Sequence, residues 1–341
     1  MCFLTTALAA IFVFMLVIVF HEFGHFMVAK LVGIKVHEFS IGMGPKLLHK
    51  KGKETEYFLR AIPIGGYVRM EGEDESSEDP RSFGKKPVGA RILVVAAGAI
   101  MNFILAIIVF TIVSYGMGVP TTTIQEIIKD SPASYAGLQS GDEIKRINDE
   151  EVKSWNSIVE NINKSDSDKN LTIVVKRNSE EISFNMKPKY DRETKRYLIG
   201  IVPSYKKSFL LALKGGVQTT GTVLGLMFKF LGMLFKGQVS RGDLSGPVGV
   251  IYTVGEAAKY GFLNLLYIAG FISVNLGFFN LLPIPALDGS RIFFMLIELI
   301  RGKPVNPEKE GFVHFVGFVL LMILMIVVTY SDIVKFKLFR R

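Results

Sequence analysis

The sequence predicts a polytopic α-helical membrane protein: four transmembrane helices, a re-entrant β-hairpin on the cytoplasmic side, and one soluble domain inserted on the other face. Three observations predict it. Of 341 residues, 49% are apolar and only 21% charged, with a mean hydropathy of +0.36; this excludes a disordered chain and argues against an ordinary soluble enzyme. The apolar residues gather in uncharged runs that match or exceed the roughly 20 residues a helix needs to cross hydrocarbon. The formal charge of +9 is concentrated, with twelve Lys and Arg between Lys30 and Arg91. Basic residues crowd cytoplasmic flanks, so the excess reads as topology and not as a nucleic-acid partner.

The elements follow in order. Residues 1–30 form the first span: Phe3 to Ala29 carries one charge, Glu22, and the stretch is too long, and lacks the basic start, for a cleaved signal peptide. Residues 31–91 form the basic, hence cytoplasmic, loop, which puts the N-terminus outside. Within it Tyr57 to Met70 is strand-like but broken by Pro63, Gly65 and Gly66, a pattern suited to a re-entrant hairpin sheltered against helices. The acidic run Glu71 to Asp79 reads as a solvated linker. Residues 92–118 form the second span. Residues 119–203 turn to mixed charge and β-rich patches such as Leu171 to Lys176, a soluble extracytoplasmic domain. In 204–260, Ser208 to Lys236 is interrupted by Lys214 and Lys229 and is expected to lie at the interface as an amphipathic segment. Residues 261–300 form the third membrane segment, where Pro283 and Pro285 must open the helix. Residues 301–341 hold the fourth span and a basic tail of Lys335, Lys337, Arg340 and Arg341, which this topology leaves outside, against the usual bias. A single cysteine, Cys2, excludes an internal disulfide and a cysteine-based zinc site.

The chemistry concentrates in His21-Glu22-Phe-Gly-His25. Residues four apart share a helix face, so both imidazoles project together with Glu22 beside them. Two nitrogen ligands on zinc and a general base next to its bound water have this geometry. A pair of core histidines is the plain alternative, but two His and a Glu inside a span are costly unless they serve a site. A catalytic zinc needs a third donor, and Asp288, Glu298, His314 and Asp332 lie near the ends of the later spans. Asp288 stands out because it follows the proline-broken stretch and precedes Gly289. A membrane transporter of divalent metal and an inactive scaffold remain as rival readings of these residues.

His21-Glu22-x-x-His25, Gly42-Met-Gly44, Pro63-x-Gly-Gly-Tyr67 and Asn280-x-x-Pro-x-Pro-x-Leu-Asp288-Gly289, in that order along nearly the whole chain, resemble the bacterial site-2 proteases of the regulator of sigma-E protease type. The resemblance implies that His21, His25 and Asp288 hold Zn2+ and that Glu22 is the catalytic base. It implies that Asn275 and Asn280 hold the substrate or its developing oxyanion. The Tyr57 to Met70 hairpin, with Gly65 and Gly66, and the opened backbone at Pro283 and Pro285 are implied to receive an extended substrate. Ser131 to Asp142, Ile144 to Asn148 and Val152 to Trp155 resemble a PDZ domain, a fold that binds extended peptides at a sheet edge and in this family is thought to filter substrates by size. The implied activity is that of an intramembrane zinc endopeptidase. Its implied partners are the lipid bilayer and single-pass membrane proteins, such as anti-sigma factors or remnant signal peptides. Two positions depart from the family pattern: Gly98-Ala-Ile-Met-Asn102 lacks the usual proline, and Ser290 stands for a glycine. His21 lies some 18 residues, or roughly 27 Å, into the first span. Asp288 shares that depth only if Ser208 to Lys236 does not cross.

Overall fold

A computed structural model of the chain describes residues 3–73, 77–164, 170–194, 196–238 and 245–335. Residues 74–76 of the acidic run and Lys337, Arg340 and Arg341 of the basic tail lie outside them. The chain divides into two compact units, Ser114–Ala212 and the remainder.

The helical unit begins with α1, Phe3–Leu31, about 43 Å of helix. Strands β1 (Val36–Lys51) and β2 (Glu56–Met70) follow, and then α2, Val88–Met117. Gly24 of α1 lies so close to α2 that a Cβ there would sit 2.3 Å from the Ala97 carbonyl oxygen. Nearer the helix start, Val17 packs with Leu105, Val109 and Val113, so α1 and α2 run antiparallel. The strands curl into more than a hairpin. Glu38 to Ile41 pair with Gly66 to Arg69 on one side and with Glu56 to Leu59 on the other, and Lys46 to Lys51 close against Glu56 to Arg60. The stretch Tyr57 to Met70, expected as a hairpin in itself, is thus a single long strand wrapped around β1, with Gly66 to Arg69 paired on one side only among the described residues. Arg60 holds the sheet from within, donating to Glu38 at 2.7 Å and to Ser40 Oγ at 2.9 Å.

The acidic run is more than a solvated linker. Glu71 accepts from Ser77 Oγ at 2.5 Å and lies 2.6 Å from His37 Nε2. These hydrogen bonds hold its carboxyl down at about 2.

After the soluble unit the chain continues as α5 (Phe209–Phe235), α6 (Pro247–Lys259), α7 (Phe262–Leu281), α8 (Asp288–Arg301) and α9 (Pro307–Lys335). Among the described residues five helices are long and apolar enough to cross a membrane, α1, α2, α5, α7 and α9, where the sequence reading has four spans. The chain is a multi-pass membrane protein. The additional helix occupies the segment expected at the interface. Gly216, Thr220 and Val223 form one buried stripe of α5 while Lys214 and Lys229 stay exposed. Val223 packs with Ala106, Phe110 and Val274, and Phe228 meets Phe278 edge-on. The lysines interrupt the hydropathy of this segment but not its packing face. Ala9, Ala10 and Val13 of α1 pack with Leu265 and Ala269 of α7; Gly270 of α7 lies against Phe110 and Gly277 against Ala99, so α7 runs antiparallel to α2 and in the same direction as α1.

The soluble unit contains β3 (Val119–Ile127), α3 (Pro132–Ala136), β4 (Glu143–Ile147), β5 (Glu150–Glu151), α4 (Trp155–Asn163), β6 (Leu171–Arg177), β7 (Glu180–Met186), β8 (Lys189–Asp191), β9 (Arg196–Leu198) and β10 (Ile201–Lys206). The main sheet has the order β10-β3-β4-β6-β7, with β5 beside β4. Alternating residues of β6, Leu171, Ile173 and Val175, join Ile144, Ile147 and Ile158 in a closed core. Both helices start on serine caps: Ser131 accepts from the Ser134 N–H, and Ser154 forms a capping box with Ser157.

Asp142 is fully buried in this unit. Its carboxylate receives Arg177 Nε at 2.7 Å, Arg177 Nη2 at 2.8 Å and the Gln139 N–H at 2.8 Å. Burial, the largest single influence, raises its pKa, but the Arg177 hydrogen bonds, the Gln139 N–H and the Arg177 charge together outweigh it and hold the carboxyl below its ordinary value. Arg177→Leu leaves that charge unpaired and is expected to destabilise the unit by about 3–5 kcal/mol. The ion pair's contribution is present above the unfolded carboxylate pKa of about 3.9 and fades as pH falls through the lower folded value. Trp155, the one tryptophan of the chain, packs against this core. Its fluorescence during denaturant unfolding therefore reports both effects; an unchanged midpoint in the Leu variant would refute them.

Candidate active site

Residues 21, 22 and 25 sit on the last turns of α1, where the packing of small residues brings α2 unusually close. Gly98 of α2 faces both imidazoles: a Cβ on it would lie 2.3 Å from His25 Nε2 and 2.7 Å from His21 Cε1. The rings therefore rest on bare helix backbone. His25 Nδ1 is 2.9 Å from the Val94 carbonyl oxygen and donates to it, which leaves the lone pair on Nε2. His21, 8% exposed, has its Nδ1 3.1 Å from the amide of Asn102. Asn102 is fully buried, and its backbone carbonyl accepts from Ser273 Oγ of α7 at 2.8 Å.

Asp288 arrives from the other side. Helix α7 stops at Leu281, residues 282–287 are non-helical, and Asp288 opens α8. Pro283 and Pro285 lack the N–H that a continuing helix requires. Gly289 is needed here because a Cβ on it would lie 2.1 Å from the Leu282 carbonyl oxygen. The bend brings Asp288 Oδ2 to 3.2 Å from His21 Nε2 and 3.4 Å from His25 Nε2, and the two Nε2 atoms are 3.2 Å apart. Three acceptor atoms so close together repel one another unless a cation lies among them. Among the described residues Asp288 Oδ2 is buried with no hydrogen-bond donor. A tetrahedral ion with bonds of about 2.0–2.1 Å needs ligand atoms about 3.3–3.4 Å apart, and this triangle has those edges. Glu22 lies beside it against the β-element: a Cβ on Gly66 would be 3.0 Å from Glu22 Cγ. A polar cavity of about 630 Å³ opens at Asp288, with Glu73, Arg91, Arg291 and His314 in its wall.

The model of "Peptidase family M50" matches residues 9–324. The chain belongs to peptidase family M50. Among its relatives, a protein of Clostridium acetobutylicum is 45% identical over 329 residues, 95% of this chain and 96% of the other. The regulator of sigma-W protease RasP of Bacillus subtilis is 34% identical over 417 residues, covering 97% of this chain and 99% of that one. The zinc metalloprotease RasP of Bacillus licheniformis is 35% identical at the same coverage of 97% and 99%. These two alignments are longer than this chain, so the Bacillus proteins carry residues with no counterpart here. Part of the chain is also similar to a solved PDZ domain of an SdrC-like protein from Listeria monocytogenes, at 21% identity and a TM-score of 0.23, covering 25% of this chain and 87% of that one.

The M50 motifs on this chain do not all meet at the triangle. The amide of Asn275 turns back to the Phe271 carbonyl oxygen of its own helix at 2.8 Å, while Asn280 is buried at the end of α7. Gly65 takes the left-handed φ of +84° against Met43. Of the other candidate donors, Glu298 pairs with Arg91. Asp332 accepts the Gly249 N–H at 2.7 Å at the start of α6, a carboxylate at a helix N-terminus. His314 reaches the break before Asp288. Both departures from the family pattern are absorbed locally. Ala99 keeps α2 continuous and fully buried, and Ser290 Oγ donates to the Leu287 carbonyl at 2.7 Å.

Sequence reasoning missed Gly24, Gly98 and Asn102 as parts of the site. Gly98 and Asn102 entered the sequence reading only as the ends of a family pattern that lacks its proline, and Gly24 only as a small residue in an apolar run, which is common in packed membrane helices.

Proposed function

We propose that this chain is an intramembrane zinc metalloprotease of the site-2 type, in which His21, His25 and Asp288 hold the ion and Glu22 is the general base. The near-equilateral triangle of their ligand atoms, edged by 3.2, 3.2 and 3.4 Å, carries the reading. Zinc held by these three residues would supply Lewis acidity toward a water and the scissile carbonyl. Glu22 takes the proton of that water and delivers it to the leaving amine. Asn102 Nδ2 lies 3.1 Å from His21 Nδ1 and its Oδ1 is buried without a donor among the described residues; with these two amide atoms exchanged, Oδ1 accepts the Nδ1–H and keeps Nε2 free to ligate. The polar cavity at Asp288 is the water supply.

The substrate is held as a strand. Gly66 to Arg69 has one unpaired edge, Gly66 lies against Glu22, and an extended peptide added there brings its backbone to the triangle. Asn280 at the end of α7 and Pro283 and Pro285 in the break before Asp288 are assigned to the other side of that strand. The substrates are transmembrane segments of single-pass proteins, such as membrane anti-sigma factors or remnant signal peptides. The soluble unit is a PDZ domain that limits which of them approach.

Four of the five apolar helices cross fully. Helices α1 and α7 run the same way and α2 runs back, so a complete crossing by α5, the least apolar at a mean hydropathy of 1.2, would start α7 on the wrong side. Positive charge between Lys30 and Arg91 places that loop and the nearby zinc on the cytoplasmic side, with the PDZ unit outside.

Purified protein in detergent is expected to cleave an anti-sigma transmembrane peptide, to stop on complete chelation and to resume on adding zinc. Replacing helix formers near the scissile bond by Gly or Pro should raise the rate, because a helical turn hides its own peptide bonds and each such residue weakens the helix by about 1–3 kcal/mol. Cleavage that survives complete metal removal would overturn the mechanism.

A further inference from the structure

The helix break at 282–287 is what turns Asp288 toward the histidines, and the break is a short piece of backbone with little to hold it. Its N–H groups can be accounted for one by one. Leu282 donates to the Phe279 carbonyl at 3.1 Å, Ile284 to Leu282 at 2.7 Å and Leu287 to Ile284 at 3.1 Å. Pro283 and Pro285 have none. The one left is Ala286, and its N–H goes to His314 Nδ1 of α9 at 3.2 Å.

Ala286 is also the strained residue. Its φ of +72° is in the left-handed region, and among the described residues of the helical unit no other non-glycine has a positive φ. Such a conformation persists only where surroundings impose it. Those surroundings belong to α9. One turn beyond His314, Gly317 lies so near the break that a Cβ on it would sit 2.1 Å from Pro285 Cβ. Ser290 Oγ, which ties down the Leu287 carbonyl, is 3.5 Å from the same His314 Nδ1. Most of α9 shows its side chains to the outside, so an imidazole in its uncharged run calls for a specific partner.

We infer that His314 is the positioning residue for the third zinc ligand: by accepting the Ala286 N–H it fixes the left-handed turn that aims Asp288 at His21 and His25. The inference rests on the zinc reading of those three residues. A ring accepting at Nδ1 is the neutral tautomer with its hydrogen on Nε2, which is buried 3.8 Å from Glu310 with no hydrogen-bond partner among the described residues.

The test is zinc affinity of the full-length protein in detergent, by competition with a chromophoric chelator, so that it does not depend on turnover. His314→Phe keeps a ring but loses the acceptor and is expected to weaken zinc binding about 10–100-fold, the usual cost of losing a partner behind the ligands. His314→Asn places an amide oxygen where Nδ1 was and should stay within about threefold of wild type. The decisive variant is Ala286→Gly in the His314→Phe background. Glycine adopts the turn without being held, so affinity should return most of the way, which general loss of packing would not allow. Unchanged affinity in His314→Phe, or no recovery in the double variant, overturns the proposal. A wild-type protein that takes up no zinc instead overturns the reading of the site, and the role of His314 falls with it.

Discussion

Glu22→Gln is expected to lower the rate of peptide cleavage by about 10²–10⁴-fold, the usual contribution of a positioned general base, while the protein still binds one zinc per chain. The two substituents are nearly isosteric, so the amide keeps the place of Glu22 against Gly66 and disturbs neither imidazole. What it loses is the ability to take a proton. A metal count alongside turnover of a transmembrane peptide separates the readings. A transporter or a scaffold would retain its function in this variant, and a protease would not. Turnover above about a tenth of wild type with metal in place would remove Glu22 from the role of base.

Gly98→Ala is expected to be as damaging from outside the motif, with zinc binding weakened at least about 100-fold and cleavage falling with it. One methyl group would lie 2.3 Å from His25 Nε2 and 2.7 Å from His21 Cε1, an overlap of about 1 Å with both rings. A displacement of that size in a reacting group costs about 10²-fold. Moving α2 away to relieve the overlap would pull Ala97 and Gly98 off Gly24 and give up the close packing of that crossing. Overpacking alone costs about 1–3 kcal/mol, so the bundle should fold while the ligand pair does not form. Gly89→Ala, on the same helix with nothing within 4 Å of the new Cβ, is the control and should bind zinc normally. Equal affinity in both variants would contradict the close packing of the rings on α2.

Much of this was legible in the sequence because local chemistry carried it. The spacing of His21 and His25 is a statement about one helix face, and two prolines before Asp288 announce that a helix must open. Uncharged runs near Phe262–Leu281 and Pro307–Lys335 contain helices for reasons of solvent alone. Where the reading fell short, the deciding interaction was between segments. In Ser208 to Lys236 the hydropathy, diluted by Lys214 and Lys229, gave no sign that Gly216, Thr220 and Val223 form a stripe packed on α2 and α7. Tyr57 to Met70 looked like a closed hairpin, yet both its ends find partners along β1.

By itself, the order of residues determined the membrane character of the chain, the two imidazoles and carboxylate on α1, and a kinked third segment ending in Asp288, since each follows from hydropathy or helix geometry within about 20 neighbouring residues. Only the tertiary structure decided that Oδ2 of residue 288 lies 3.2 and 3.4 Å from those rings, that Gly98 must be bare and that His314 meets Ala286. Distances between helices depend on how side chains of distant segments interlock, and no pattern confined to one segment contains that information.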